Sequence, residues 1–204
     1  MVASEDPSNG YEAIAERFMS VRSTSGQAVV RAWAMGLDPG STIVDVGAGS
    51  GKPLTSVLID LGLNVSAIDA APSMVAAFKR HFPDVEVSCE QAERSAFFGR
   101  TFDAILAVGL VFLLTEQAQR KLFRRMAKAM KPGGRILFSA PQEAGSWEDV
   151  LTGRLSHSLG IDVYRNLLAE HGLVLSGGHV DAGGSYYYAA IKQAANRGAG
   201  NPGD

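Results

Sequence analysis

The stretch Thr42-Ile43-Val44-Asp45-Val46-Gly47-Ala48-Gly49-Ser50-Gly51 decides the fold, because an apolar run ends in an acid and three glycines follow at alternate positions. The apolar part predicts a buried β-strand. Glycine has no Cβ, so its backbone accepts positive φ and leaves room for a ligand where a side chain would collide. The stretch therefore predicts a strand followed by a concave loop that fits a nucleotide-sized molecule.

The spacing of these glycines excludes the two common phosphate-binding motifs. A dinucleotide fingerprint, G-x-G-x-x-G, would need a third glycine at position 52, which is Lys52. A P-loop, G-x-x-x-x-G-K-[ST], would need glycine where Val46 stands and a hydroxyl residue where Pro53 stands. The loop is therefore expected to bind a ligand without phosphate.

The pattern Asp45-x-Gly47-x-Gly49-x-Gly51 resembles the first motif of the class I S-adenosylmethionine (SAM)-dependent methyltransferases. The resemblance implies that this segment wraps the methionine end of the cofactor. The residues that it assigns to that role are Asp45, Gly47, Ala48, Gly49 and Gly51.

A second acid agrees with this interpretation. The run Asn64–Asp69 predicts the next buried strand, and Asp69 lies 18 positions beyond Gly51, about the interval that one intervening helix requires. A carboxylate accepts a hydrogen bond at each oxygen, which suits the two hydroxyls of a ribose, and the resemblance gives Asp69 this role. NAD-binding folds place an acid similarly, and an acid that caps a helix or lies in a loop is the alternative.

The resemblance assigns further residues to the cofactor. Ala70 and Met74 would border the adenine, although Met74 also fits a helix core. Many relatives carry an Asp-Ala pair after strand three, whereas this chain has Gln91-Ala92, so any contact from Gln91 to the adenine is uncharged.

Two more regions are implied by the resemblance. Val108 ends strand four beside the cofactor and the substrate. Tyr11, Phe18 and Arg22 share one face of an N-terminal helix, which relatives use as a lid. Arg22 could pair with the methionine carboxylate, and a surface arginine is the equal alternative.

The composition fits one globular domain. The chain has 204 residues, 46% hydrophobic and 20% charged, and a formal net charge of −2, which does not indicate a broad nucleic-acid surface. No apolar stretch reaches 18 residues and the N-terminus is polar, so the sequence predicts a cytoplasmic protein that does not enter membranes. Cys89 is the only cysteine, which excludes a multi-cysteine metal site, and we expect it to be packed as a small hydrophobe. No metal is expected.

Helix and strand patterns alternate along the chain, as in a parallel sheet covered on both faces. Two final strands, Leu173–Asp181 and Ser185–Lys192, are joined by only three residues and must be antiparallel. The sequence therefore predicts an α/β, Rossmann-like, seven-stranded, mostly parallel sheet with an antiparallel C-terminal hairpin. We expect a single domain over 1–193, with a helical lid over 9–36 and a disordered tail over 194–204.

The function that follows is SAM-dependent methyl transfer to a small-molecule acceptor, with S-adenosylhomocysteine (SAH) as the product. Such a displacement needs alignment of the acceptor and exclusion of water more than a catalytic base, so the sequence names no catalytic residue. If a base is used, the candidates are His157, in the segment 156–158 that is predicted to be a loop, and one of Tyr186, Tyr187 and Tyr188.

The sequence leaves several alternatives open. A non-catalytic SAM- or SAH-binding regulator of the same fold is the chief one, and an NAD-dependent oxidoreductase is a weaker one. The sequence does not specify the acceptor, the atom methylated or the oligomeric state.

Overall fold

The computed structural model describes residues 6–194. The predicted tail, 194–204, lies outside the described residues from position 195 onward. Within the described range, every helix falls short of the length and hydrophobicity that crossing a membrane requires.

Residues 6–194 contain nine strands and six α-helices, two strands more than the sequence predicts. The strands are β1 (Thr42–Val46), β2 (Asn64–Asp69), β3 (Glu86–Cys89), β4 (Phe102–Ala107), β5 (Met130–Ser139), β6 (Gly145–Glu148), β7 (Leu155–Ser158), β8 (Leu173–Val180) and β9 (Tyr186–Lys192). The helices are α1 (Ala15–Val21), α2 (Gln27–Ala34), α3 (Leu54–Asp60), α4 (Pro72–His81), α5 (Glu116–Ala129) and α6 (Ile161–Glu170).

Seven strands form one sheet in the order β3-β2-β1-β4-β5-β9-β8. The first five run parallel, whereas β9 is antiparallel to both β5 and β8. The predicted Rossmann-like sheet with an antiparallel C-terminal hairpin is therefore confirmed. Because β1 and β4 lie in the middle, the loops after their carboxyl ends meet at the centre of one sheet edge, where open α/β sheets bind ligands.

Two apolar clusters cover the two faces of the sheet. On one face, α2 and α3 pack Val30 and Leu58 against Ile43 and Leu137. On the other face, α5 and α6 pack against the sheet in a cluster that includes Phe138. Its ring stacks on Tyr188 across the β5–β9 pair, with ring centroids 4.7 Å apart and an angle of 7° between the planes. These buried layers hold the carboxyl edge of the sheet in a fixed position.

Three local expectations need correction. The segment 156–158 is not a loop, because Ser156–Ser158 belongs to β7, which pairs with β6 in a separate two-stranded hairpin. The Pro132-Gly133-Gly134 sequence predicts a turn that leads into a strand at Arg135, whereas in the structure β5 already begins at Met130 and its pairing with β4 is irregular at this point. Cys89 is exposed, because it ends the edge strand β3 instead of facing a core.

Candidate functional site

The glycine loop after β1 is fixed to the end of β2 by backbone hydrogen bonds. The N–H groups of Gly47 and Ala48 donate to the carbonyl of Ile68 at 2.8 and 3.1 Å. Gly47 and Gly49 both have positive φ, +74° and +58°. The loop therefore turns sharply out of the strand and keeps its backbone exposed to the space above the sheet edge.

Asp69 is the fixed acid of this region. One carboxylate oxygen accepts the Gly49 N–H at 2.7 Å, and the other accepts the Ala71 N–H at 2.8 Å. Burial raises the pKa of Asp69, and the two backbone N–H groups act against that rise. Each oxygen has further lone pairs, so the carboxylate is held in one orientation and still able to accept hydrogen bonds from a ligand.

These elements form one wall of a cleft at the carboxyl edge of the sheet. Its empty volume, with the open mouth included, is about 1090 Å³. Eleven of the predicted cofactor residues line it: Tyr11, Arg22, Gly47, Ala48, Gly49, Asp69, Ala70, Met74, Gln91, Ala92 and Val108.

Two predicted residues, Asp45 and Gly51, are not among the residues that line the cleft. Asp45 is 3% exposed and accepts a hydrogen bond from the Thr55 hydroxyl at 2.6 Å. Burial raises the pKa of Asp45 to about 6, although the Thr55 hydrogen bond opposes the change. Gly51 lies against α4, where an added Cβ would meet the Phe78 ring at 2.8 Å. Both residues thus stabilise the glycine loop from the protein interior and do not face the cleft.

The N-terminal segment closes the opposite side of the cleft. The Tyr11 hydroxyl donates to Asp149 at 3.2 Å, which joins this segment to the loop after β6. The Glu12 carboxylate accepts the Ser73 N–H at 2.9 Å and so caps the first turn of α4. Arg22 lies over the Phe18 ring, 5.4 Å from its centroid, on the face that the spacing predicts. Tyr11, Phe18 and Arg22 all line the cleft.

The sequence did not identify several cleft residues. Asp149 lies 138 positions from Tyr11 and no motif marks it, so only the tertiary contact places it there. Lys52 also lines the cleft; it is the residue that stands where a dinucleotide fingerprint would have its third glycine. Asn9 lines it with its side-chain nitrogen buried and without a partner among residues 6–194. The backbone φ of Asn9 is +52°, a conformation that the sequence pattern does not predict.

A second cavity adjoins the cleft above the ends of β4, β5 and β9. The two share Arg22, Val108, Gly109 and Phe112 as walls. Tyr186 and Tyr187 line the second cavity, whereas Tyr188 and His157 line neither space. Tyr188 is buried in the core. His157 forms a hydrogen bond through Nδ1 with Ser146 across the β6–β7 hairpin, at 2.8 Å.

The residues that the structure describes contain no cluster of three or more His, Cys, Asp or Glu side chains able to hold a metal ion. The fold and the cleft together define a Rossmann-like protein with a nucleoside-sized site at the centre of its sheet edge.

Comparison with known proteins shows a similarity to methyltransferases over part of the chain. A family model described as "Methyltransferase domain" matches residues 43–134, which run from β1 into the turn of β5. The chain is 32% identical over 130 residues to a demethylmenaquinone methyltransferase of Renibacterium salmoninarum; the match covers 62% of this chain and 53% of that relative. The chain thus spans about half the length of this curated relative.

Solved structures confirm the fold. The 1,6-didemethyltoxoflavin-N1-methyltransferase of Burkholderia thailandensis, crystallised with SAH, has a TM-score of 0.74 at 17% identity, covering 90% of this chain and 85% of its own. The [4+2]-cyclase SpnF has a TM-score of 0.68 at 16% identity, covering 83% of this chain and 82% of its own. The fold is that of the class I SAM-dependent methyltransferases, and the segment 43–134 is similar to the methyltransferase family model, in agreement with the glycine motif.

Proposed function

We propose that this chain is a SAM-dependent methyltransferase that acts on a small-molecule acceptor. The observation that carries the proposal is the Asp69 carboxylate, held by the Gly49 and Ala71 N–H groups at 2.7 and 2.8 Å on the wall of the cleft. It offers paired acceptors to the two hydroxyls of a ribose beside a loop without a phosphate motif. The similarity of residues 43–134 to the methyltransferase family model supports the same cofactor.

The residues present fit the cofactor. Beside Gly49 an added Cβ would meet nothing nearer than the Met74 sulfur at 4.0 Å, so the loop leaves a space that any other residue would fill. Gln91 and Ala92 follow β3 and would border the adenine, with Ala70 and Met74 on the other side. When bound, SAM supplies an electrophilic methyl carbon for an in-line displacement.

The chain's own residues would position the reactants and exclude water. Arg22 is the cation at the junction of the cleft and the second cavity, where it would bind the methionine carboxylate. The segment 9–36 would act as a lid, since Tyr11 and Glu12 bind it to the β6–β7 hairpin and to α4. Orientation and desolvation of this kind account for most of what a sulfonium displacement needs.

The second cavity is the proposed acceptor site, because it shares a wall with the cleft. Phe112 and Trp147 face each other there with ring centroids 5.7 Å apart. The curated relative named demethylmenaquinone methyltransferase supports an acceptor with a flat ring system.

One alternative deserves a direct test. The fold neighbour SpnF is a [4+2]-cyclase, so the fold alone does not establish methyl transfer. A chain that binds the cofactor without transferring its methyl group is therefore the second candidate. An NAD-dependent oxidoreductase is disfavoured by the absent dinucleotide fingerprint and by the antiparallel β9.

Isothermal calorimetry with SAH tests cofactor binding. We expect binding to the wild-type chain and none of NADH. Asp69→Ala should weaken SAH binding by roughly 1.5–3 kcal/mol, because it removes charge-assisted hydrogen bonds. Asp60→Ala is the matched control: Asp60 lies exposed on α3, outside the cleft, and should leave the affinity unchanged. Equal affinity in the Asp69 variant would remove that residue from the site.

Transfer of labelled methyl from SAM into small-molecule extracts tests the activity itself. Labelled product that requires Asp69 would support the enzyme. Tight SAH binding with no labelled product in any extract would favour the non-catalytic alternative.

A further inference from the structure

The second cavity contains a built hydrogen-bonded pair. Asp181 lies in the turn between β8 and β9, where one carboxylate oxygen accepts the N–H groups of Gly183 and Ser185, both at 2.9 Å. Its other oxygen accepts the Tyr187 hydroxyl at 2.9 Å. Because that hydroxyl donates its hydrogen bond to Asp181, its oxygen can only accept a hydrogen bond from a ligand. Both residues line the second cavity.

The pair stands close to the wall that the two spaces share. Tyr187 is the cross-strand partner of Ser139, and the Ser139 hydroxyl accepts the Gly109 N–H at 2.8 Å. Gly109 lies in the shared wall. The strand pairing thus sets the backbone of Tyr187 near the wall that the two spaces share, and its hydroxyl extends to Asp181.

The other candidate bases do not have this placement. Tyr188 donates to the Pro141 carbonyl at 3.3 Å inside the core. His157 is bonded to Ser146 on the separate hairpin, outside both spaces. Tyr186 lines the second cavity, but no carboxylate within residues 6–194 accepts from its hydroxyl, whereas Tyr187 has Asp181.

The electrostatics of the pair favour transfer of a proton through it rather than a free phenolate. Burial raises the pKa of Tyr187, and the neighbouring Asp181 carboxylate raises it further, so the hydroxyl keeps its proton at neutral pH. The remaining charged side chains that line the cavity are Arg22 and Glu143.

We propose that Tyr187 is the catalytic proton acceptor of this site, with Asp181 as its positioning residue, and that the acceptor is a planar ring bearing an O–H or N–H group. This inference rests on the proposed methyl transfer. The ring would lie against the aromatic wall that Phe112 and Trp147 form together, with its polar hydrogen directed at the Tyr187 oxygen.

The step balances in atoms and charge. As the acceptor oxygen or nitrogen bonds the methyl carbon, its own proton moves to the Tyr187 oxygen. The Tyr187 proton moves at the same time to Asp181, which ends the turnover as a neutral acid. The electron pair of the broken sulfur–carbon bond stays on sulfur, so the positive charge of the donor and the negative charge of Asp181 cancel.

Two naphthalene probes test this assignment by binding alone. 1-Naphthol has a ring and a hydroxyl, and 1-methoxynaphthalene has the same ring with that hydroxyl methylated. The chain has two tryptophans, so Trp33→Phe leaves Trp147, on the cavity wall, as the only fluorescent reporter. In this background, with SAH present, we expect 1-naphthol to bind about five-fold more tightly than its ether, as one hydrogen bond would give.

Variants separate the proposed role from a structural one. Tyr187→Phe should remove the preference for 1-naphthol while leaving the affinity for the ether unchanged. Asp181→Asn should also remove the preference for 1-naphthol. The amide oxygen of asparagine keeps the two backbone hydrogen bonds, but its nitrogen donates to the Tyr187 oxygen. The Tyr187 proton then points toward the cavity, so the hydroxyl no longer accepts from the probe. Tyr188→Phe, in the same strand, is the control and should keep the preference.

The outcomes are distinct from those of the proposed function. SAH calorimetry on every variant should show unchanged affinity, because neither Tyr187 nor Asp181 lines the cleft. A preference that persists in Tyr187→Phe, or no quenching by either probe while SAH binds normally, would overturn the inference. Absence of SAH binding to the wild-type chain would instead overturn the methyltransferase assignment.

Discussion

Replacement of Asp45 by asparagine should change how the stability of the protein depends on pH. Asp45 lies in the central strand β1, 3% exposed, and its one side-chain hydrogen bond comes from Thr55 at 2.6 Å. Burial disfavours the charged carboxylate, and the nearby Asp69 charge adds to the effect, so the pKa rises from 3.8 to about 6. The folded protein therefore binds this proton more tightly than the unfolded chain.

The sign and size of the effect follow from linkage. Because the folded pKa is the higher one, the native state loses stability as pH rises from about 4 to about 6. One pKa unit corresponds to about 1.4 kcal/mol, so the full change from this group is about 3 kcal/mol. Asparagine carries no titrating proton and does not contribute this loss.

Urea unfolding of the wild type and Asp45→Asn at several pH values between 4 and 8 measures the effect. The difference in unfolding free energy, variant minus wild type, should increase by up to about 3 kcal/mol between pH 4 and pH 7 and then stay level. Any constant cost of placing an amide there cancels, because only the change with pH is used. Parallel curves across this range would refute the raised pKa.

Thr55→Val provides the matched control for the same reasoning. The Thr55 hydroxyl donates to the charged carboxylate, so its loss should move the titration of Asp45 to still higher pH. A shift toward lower pH would show that the hydroxyl does not stabilise the charged form.

Two further predictions concern the loop and the edge of the sheet. Gly49→Ala should abolish SAH binding in calorimetry, because its Cβ would project into the cleft. Its backbone φ is +58°, so the cost in stability should be only about 1 kcal/mol. Gly51→Ala should instead lower the melting temperature, because its Cβ would collide with Phe78. The reverse pattern would contradict these assignments. Hydrogen bonds from Lys131 and Thr42 outweigh the effect of burial and hold the pKa of Asp103 at about 2. Lys131→Met should therefore lower the free energy of unfolding above pH 4 by at most about 1 kcal/mol. The loss should fade as the pH falls toward 2, which acid titrations followed by circular dichroism would measure. A loss that stays constant down to pH 2 would exclude the ion pair as its cause.

The fold was predictable because its signals are local. β1 and β2 are short, mostly apolar runs with an acid at or next to their last residue, and the link before β9 is too short for anything but an antiparallel return. The cleft residues Gly49 and Asp69 were predictable for the same reason. Gly49 follows β1 and Asp69 ends β2, and these two strands are consecutive in the chain and paired in the sheet.

The β6–β7 hairpin was not predictable in this way. Its strands contain Ser146, Trp147, Ser156 and His157 among four-residue segments that are mostly polar, so neither the apolar alternation of a strand nor a turn motif is evident. Its position depends on tertiary contacts, such as that of Trp147 with Phe112. The sequence consequently gave no reason to place Asp149 beside Tyr11.

This difference divides the site into two parts with different constraints. The proposed cofactor wall is built from residues such as Gly49 and Asp69, whose geometry is fixed by the central strands. The proposed acceptor wall is assembled from the β6–β7 hairpin and the turn that holds Asp181, which lie outside the five parallel strands. If the second cavity is the acceptor site, as proposed, we expect substitutions in this wall to change which ring it accepts with less effect on SAH affinity than substitutions at Gly49 or Asp69.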